Sequence, residues 1–123
     1  MHDIESKEDV LKLVTLFYEK AIPDEVIGHF FTNVVQLDFE KHIPKIAEFW
    51  SGILIGNSAY KGNPMEAHVK LNKLSPLEQK HFDRWLHLWK QTIKEHFSGP
   101  KADEASGRAE TIAQLMFYKV THS

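Results

Sequence analysis

Apolar residues recur along this chain three or four positions apart and almost nowhere alternate, so helical periodicity carries nearly every segment. Val10, Leu13 or Val14, Phe17 and Ala21 share one face of a helix predicted from Ser6 or Lys7 to Ala21, with Leu11 and Tyr18 adjoining. Ser6 and Asp9 have the spacing of a capping box, and Pro23 ends the helix. A helical turn is expected at 24–28, followed by the pair Phe30-Phe31, while 33–37 reads equally as extended or helical. A second helix is predicted from Asp38 to Ile55 on the stripe His42, Ile46, Phe49, Trp50 and Ile53, with Gly56-Asn57-Ser58 as its stop. Pro44 lies inside it, and an interior proline costs about 3 kcal/mol. Either a kink or an effective start near Pro44 is expected.

The stretch Gly62-Asn63-Pro64 supplies a turn, a good N-cap and a proline at the first helical position. The short helix it opens must end before Ser75-Pro76, because the residue preceding a proline is pushed out of the helical region. Met65, His68 and Leu71 fall at three-residue spacing on one of its faces. Ser75-Pro76-Leu77-Glu78 reads as a capping box opening a long helix to Phe97, with Phe82, Trp85, Leu86, Trp89 and Ile93 buried. Ser98-Gly99-Pro100 breaks it. A last helix from about Asp103 to Val120 buries Ala105, Ala109, Ile112, Ala113, Met116 and Val120, packing antiparallel to its predecessor. The expected architecture is all-α, with four principal helices and a shorter fifth element carrying His68.

Composition narrows the function classes. The 123 residues suffice for a single domain around one core. A net charge of -2 gives no broad attraction to nucleic acid or to an anionic membrane. The absence of cysteine excludes disulfides, zinc-thiolate sites, iron–sulfur clusters and thiol nucleophiles. The polar, acidic N-terminus has no signal-peptide core, and no apolar run approaches the roughly 20 residues that span a bilayer. A soluble cytoplasmic protein is expected, with neither nucleic acid nor membrane as partner. Eight histidines and 11% aromatic residues suit an aromatic-lined pocket.

Several chemistries fail at the motif level: no phosphate-cradling glycine loop, no G-x-S-x-G, no H-E-x-x-H. Glu78 and His81 form a lone E-x-x-H, read as a solvated first-turn pair because a di-iron site needs a second copy. Of the eight histidines only His42 and His68 sit on apolar stripes. Singly, each reads as a buried, hydrogen-bonded histidine. Two on different helices, in an aromatic-rich chain, suggest a planar apolar cofactor between them, since haem iron is held by a proximal histidine. The competing reading is a cofactor-free helical interaction module in which these residues are replaceable.

In order along the chain stand Phe17-Tyr18, Gly28 with Phe31, His42 with Ile46 and Phe49-Trp50, Gly62-Asn63-Pro64 with His68, Trp85 to Trp89, and Arg108-Ala109 with Ile112-Ala113. In this ordered set the chain resembles the truncated haemoglobins, most closely their third group, over roughly residues 8–120. The resemblance implies a two-on-two helical sandwich carrying haem b. It implies His68 as the iron's proximal ligand, Phe31 as the ring that wedges the haem, and Tyr18, His42 and Trp85 as the polar distal wall. His42 is the least secure of these, since a kink at Pro44 would redirect it. Ile46, Phe49, Trp50, Met65, Leu71 and Met116 would contact haem and serve as core at once. The implied ligands are O2, NO and CO. Several donors around one ligand slow its release, because a hydrogen bond to a charged group contributes about 1.5–3 kcal/mol. Redox chemistry on nitric oxide or peroxide, fed by a separate reductase, is therefore expected over oxygen delivery. Simple O2 storage or sensing is the alternative, and enzymatic turnover is left open.

Overall fold

α1 (Lys7–Ala21) starts on Ser6, whose hydroxyl accepts from the Asp9 N–H at 3.2 Å. In this computed structural model, which describes residues 1–56 and 62–122, four further helices follow. They are α2 (Phe39–Leu54), α3 (Pro64–Leu74), α4 (Gln79–His96) and α5 (Pro100–Thr121). Among the described residues there is no strand. α1 packs on α2 and α4, and α5 packs on α4, α3 and α2. The result is the expected all-α sandwich of helices on helices.

Several boundaries differ from the sequence reading, each for a local reason. A π-helical turn, Phe30–Val34, takes in the phenylalanine pair and the first two residues of the ambiguous segment, whose remainder is irregular; such an element often marks functional sites. Gln36 follows with a left-handed φ of 55° and turns the chain toward α2. α2 neither starts late nor breaks at Pro44. The bond that proline forgoes would go to the carbonyl of exposed Glu40, which water can reach. Only Gly56 of the predicted stop lies within the described residues, with a φ of 98°. Ser75 caps the end of α3 instead of opening α4. Asn72 Oδ1 takes the Leu77 N–H at 2.8 Å, and α4 starts on Glu78, whose N–H donates to His81 Nδ1 at 2.9 Å. His81 is consequently buried, not solvated. α5 begins at Pro100, a turn earlier than expected, because Asp3 caps it from a distance. Leu11 is exposed, and Trp85 and Leu86 are only half-buried.

The core lies where α1, α4 and α5 meet. Leu13, Val14, Thr92, Ala105 and Ala109 are fully buried there. The stripe Ala102, Ala105, Ala109 and Ala113 keeps that face of α5 shallow, so Trp89 fits beneath it and donates its Nε1–H to the Ala105 carbonyl at 3.2 Å. Gly28 serves the same end at the α1 corner. A Cβ there would lie 2.3 Å from the Ile22 carbonyl oxygen, so only glycine permits the approach.

The segment before α1 straps the α4–α5 corner. Asp3 accepts from the Lys101 and Ala102 N–H groups at 2.9 and 2.8 Å and from its neighbour Ile4 at 2.8 Å. Burial raises the Asp3 pKa, but these three backbone donors outweigh it and hold the carboxyl below 3.8. Its contribution is therefore present above the unfolded value and lost as the pH falls through the folded one. Asp3→Ala is expected to lose about 1 kcal/mol in urea unfolding at neutral pH, as for loss of an N-cap, with the difference shrinking in acid. Gly28→Ala is expected to lose about 1–3 kcal/mol by overpacking.

Candidate functional site

A cavity of ≈ 190 Å³ is bounded by side chains from all five helices and the π turn. Tyr18 enters from α1, Phe31 from the π turn, and His42, Ile46, Phe49 and Trp50 from α2. His68 enters from α3, Trp85 from α4 and Met116 from α5. The structure thus brings together nine of the eleven residues singled out in the sequence. Met65 faces a separate surface hollow with Val69, Leu115 and Tyr118, and Leu71 packs against the core outside the cavity wall. Leu77, His81, Phe82 and Ile112 line the cavity unanticipated. Phe82 and Trp85 sit three apart on one helix, so their shared face was readable. His81 was hidden by the misplaced start of α4.

Capping geometry sets the direction of His68. Asn63 Oδ1 accepts from the Glu66 N–H at 3.1 Å and fixes where α3 begins. One turn later His68 Nδ1 lies 2.7 Å from the Pro64 carbonyl oxygen. A carbonyl can only accept, so Nδ1 carries the proton and the Nε2 lone pair is left for a metal or a donor. Burial lowers the His68 pKa, and the Pro64 carbonyl opposes that only in part. The neutral, ligating form is favoured.

Tyr18 and His42 form the polar element of the wall, with Tyr18 Oη 2.8 Å from His42 Nε2. α2 is continuous through Pro44, and His42, one turn after its start, lines the cavity. Burial raises the Tyr18 pKa, so the hydroxyl keeps its proton throughout the physiological range. It either donates to a neutral Nε2 or accepts from Nε2–H and turns its own proton to the cavity. Burial first, then Lys45 and His68, lowers the pKa of His42. Phe31 and Phe39 flank the Tyr18 ring at centroid distances of 5.4 and 5.8 Å. Trp85 is held on α4 beside Arg84, which donates to Asp24 at 2.9 Å, while Asp24 also caps the turn at Val26 and Ile27.

An aromatic, largely apolar cavity with one free imidazole nitrogen and a tyrosine–histidine pair suits a planar, apolar metal cofactor, and the residues present fit haem. The class is that of an all-α haem protein. The model of the bacterial-like globin family matches residues 2–118, and the chain belongs to that family. The chain is 32% identical to a group 3 truncated haemoglobin of Campylobacter jejuni over 93% of this chain and 92% of that one. The crystal structure of a group III truncated haemoglobin from the same organism superposes with a TM-score of 0.84 at 28% identity, covering 98% of this chain and 95% of that one. A 2/2 haemoglobin from Synechococcus, 24% identical, shares the fold with a TM-score of 0.82, covering 98% of this chain and 95% of that one. The chain is thus a truncated haemoglobin of the third group, with haem b as its cofactor and small diatomic molecules as its ligands.

Three inward histidines share one sign of pH dependence. Burial holds His42, His68 and His81 below the ordinary value of 6.5, although Glu78 partly offsets it at His81. As the pH drops through that value the unfolded chain binds more protons than the folded one, so stability decreases on acidification. The urea midpoint is expected to fall between about pH 7.5 and about pH 5.5, and His42→Gln combined with His81→Gln should flatten that slope.

Proposed function

We propose that His68 holds the haem iron through Nε2, and that Tyr18, His42 and Trp85 act on the bound ligand so that it reacts instead of being delivered. The observation that carries this reading is the 2.8 Å contact between Tyr18 Oη and His42 Nε2 at the wall of the cavity that His68 also faces. Bound haem supplies the iron that takes up the diatomic ligand and exchanges electrons with it.

The chain's own residues supply the rest. Nδ1–H bonded to a carbonyl raises the basicity of His68 and holds its ring plane. Tyr18 can donate to a ligand that gains negative charge, and the same hydroxyl connects that ligand to His42 for proton transfer. Trp85 contributes an indole that only donates. Phe31, Phe49, Ile46 and Met116 exclude water, which strengthens each donor's effect. Such a wall favours retention, and retention favours electron and proton transfer to the ligand. The reactants that fit are nitric oxide and peroxide, with a separate reductase returning electrons to the iron. For Ile46, Phe49, Trp50 and Met116 we propose direct contact with the haem.

Stopped-flow release of O2 from the ferrous protein tests this reading. Tyr18→Phe should speed release about tenfold to a hundredfold, the equivalent of about 1.5–3 kcal/mol, and Trp85→Phe in the same direction. Wild-type release as fast as that of either variant would favour oxygen storage instead.

A further inference from the structure

The three tryptophans of the chain, Trp50, Trp85 and Trp89, stand in one continuous stack. Trp85 and Trp89 are parallel to within 6° at a centroid distance of 6.1 Å. Trp89 and Trp50 overlap more closely, at 4.6 Å and 26°. Trp50 and Trp85 line the cavity, whereas Trp89 lies behind them with 1% of its surface exposed. Phe17 meets Trp85 and Trp89 at 74°, with centroids 6.1 and 5.4 Å away. Core packing alone needs no such alignment, since aromatic pairs are as well served edge to face.

Indole is among the most readily oxidised side chains, and stacked indoles share a positive charge. We propose that this stack is an internal electron source: when peroxide is reduced at the cavity, one of the two electrons comes from the indoles, and Trp89 with Trp50 holds the resulting hole. The inference rests on the redox reading above.

The step balances without a missing reactant. Hydrogen peroxide takes two electrons and two protons to become two waters, so its O–O bond breaks and two O–H bonds form. Two solvent waters supply the protons and are left as hydroxide, which the buffer neutralises. With haem bound, that group would supply one electron, and the other leaves an indole, whose own bonds stay intact. The Nε1–H of Trp89 already donates to the Ala105 carbonyl, which accepts a hydrogen bond but is too weak a base to remove the proton. Oxidised Trp89 therefore keeps its proton, and that bond strengthens as the donor becomes charged. Buried behind the cavity wall, the hole is shielded from attack by oxygen or water. An external one-electron reductant, such as ascorbate or a phenol, refills it through half-buried Trp85.

Because every tryptophan of the chain belongs to the stack, isotope labelling decides the matter without a variant that must fold. The ferric haem-loaded protein, produced on ring-deuterated tryptophan or on ring-deuterated tyrosine, is mixed with hydrogen peroxide, frozen within milliseconds and examined by electron paramagnetic resonance. The expected result is an organic radical whose hyperfine structure narrows with deuterated tryptophan and not with deuterated tyrosine. Trp89→Phe should lower its yield severalfold with helical circular dichroism unchanged. Narrowing with deuterated tyrosine alone would assign the electron to a tyrosine, with Tyr18 beside His42 the first to examine, and would overturn the proposal. A change in haem absorption with no organic radical would overturn it too. Haem absorption unaffected by peroxide would defeat the peroxide reading itself and the inference with it.

Discussion

His68 donates from Nδ1 to the Pro64 carbonyl across 2.7 Å, and the chemistry of the cavity depends on that bond. It decides which nitrogen is free, where the ring points, and how basic the free nitrogen is. The bond exists because α3 is so strictly started: Asn63 caps it and Pro64 occupies its first position. A helix begun one residue later would turn the imidazole by about 100°, since 3.6 residues complete a turn. α3 has no fully buried residue, so its position comes from its caps and from a few contacts. One is Asn72, which reaches the Val120 carbonyl with its amide nitrogen and the Leu77 N–H with its oxygen.

Opposite demands meet at the same helices. α4 and α5 must pack tightly enough to hold the molecule together, yet leave a cavity between them and α2. The alanine stripe of α5 resolves this, because small side chains admit Trp89 at the centre while larger Ile112 and Met116 turn to the cavity. Trp85 and Trp50 then serve both as cavity wall and as the outer leaves of the indole stack. Packing and electron chemistry need not be separate assignments for an aromatic residue in such a position.

Much of this was legible in the sequence, and the residues explain the limits. Period 3.6 placed every helix, and Gly62-Asn63-Pro64 located α3 together with its histidine. The ordered residues from Phe17-Tyr18 to Ile112-Ala113 pointed to the family. Errors arose where two local signals competed. Ser75-Pro76 looks like a helix start, but Asn72 and His81 capture the neighbouring N–H groups, and α4 begins later. Asp103 looked like the start of α5 because the residue that caps it, Asp3, lies 98 positions before Lys101 in the chain and no local pattern reveals it. Pro44 suggested a kink or a late start, and the late start does not occur: α2 begins at Phe39 and continues through the proline. Met65 shows the coarseness of three-residue spacing: it shares a nominal face with His68, yet the helix turns it toward Leu115 and Tyr118.

The central claim is that His68, and no other histidine, holds the iron. Absorption spectra of His68→Gly, recorded after haem reconstitution with and without added imidazole, test it most directly. The account predicts that the variant loses the wild-type ferrous spectrum and that free imidazole, entering the space of the missing ring, restores it. A His68→Gly variant that keeps the wild-type spectrum without imidazole, with the loss appearing in His42→Gly instead, would contradict it.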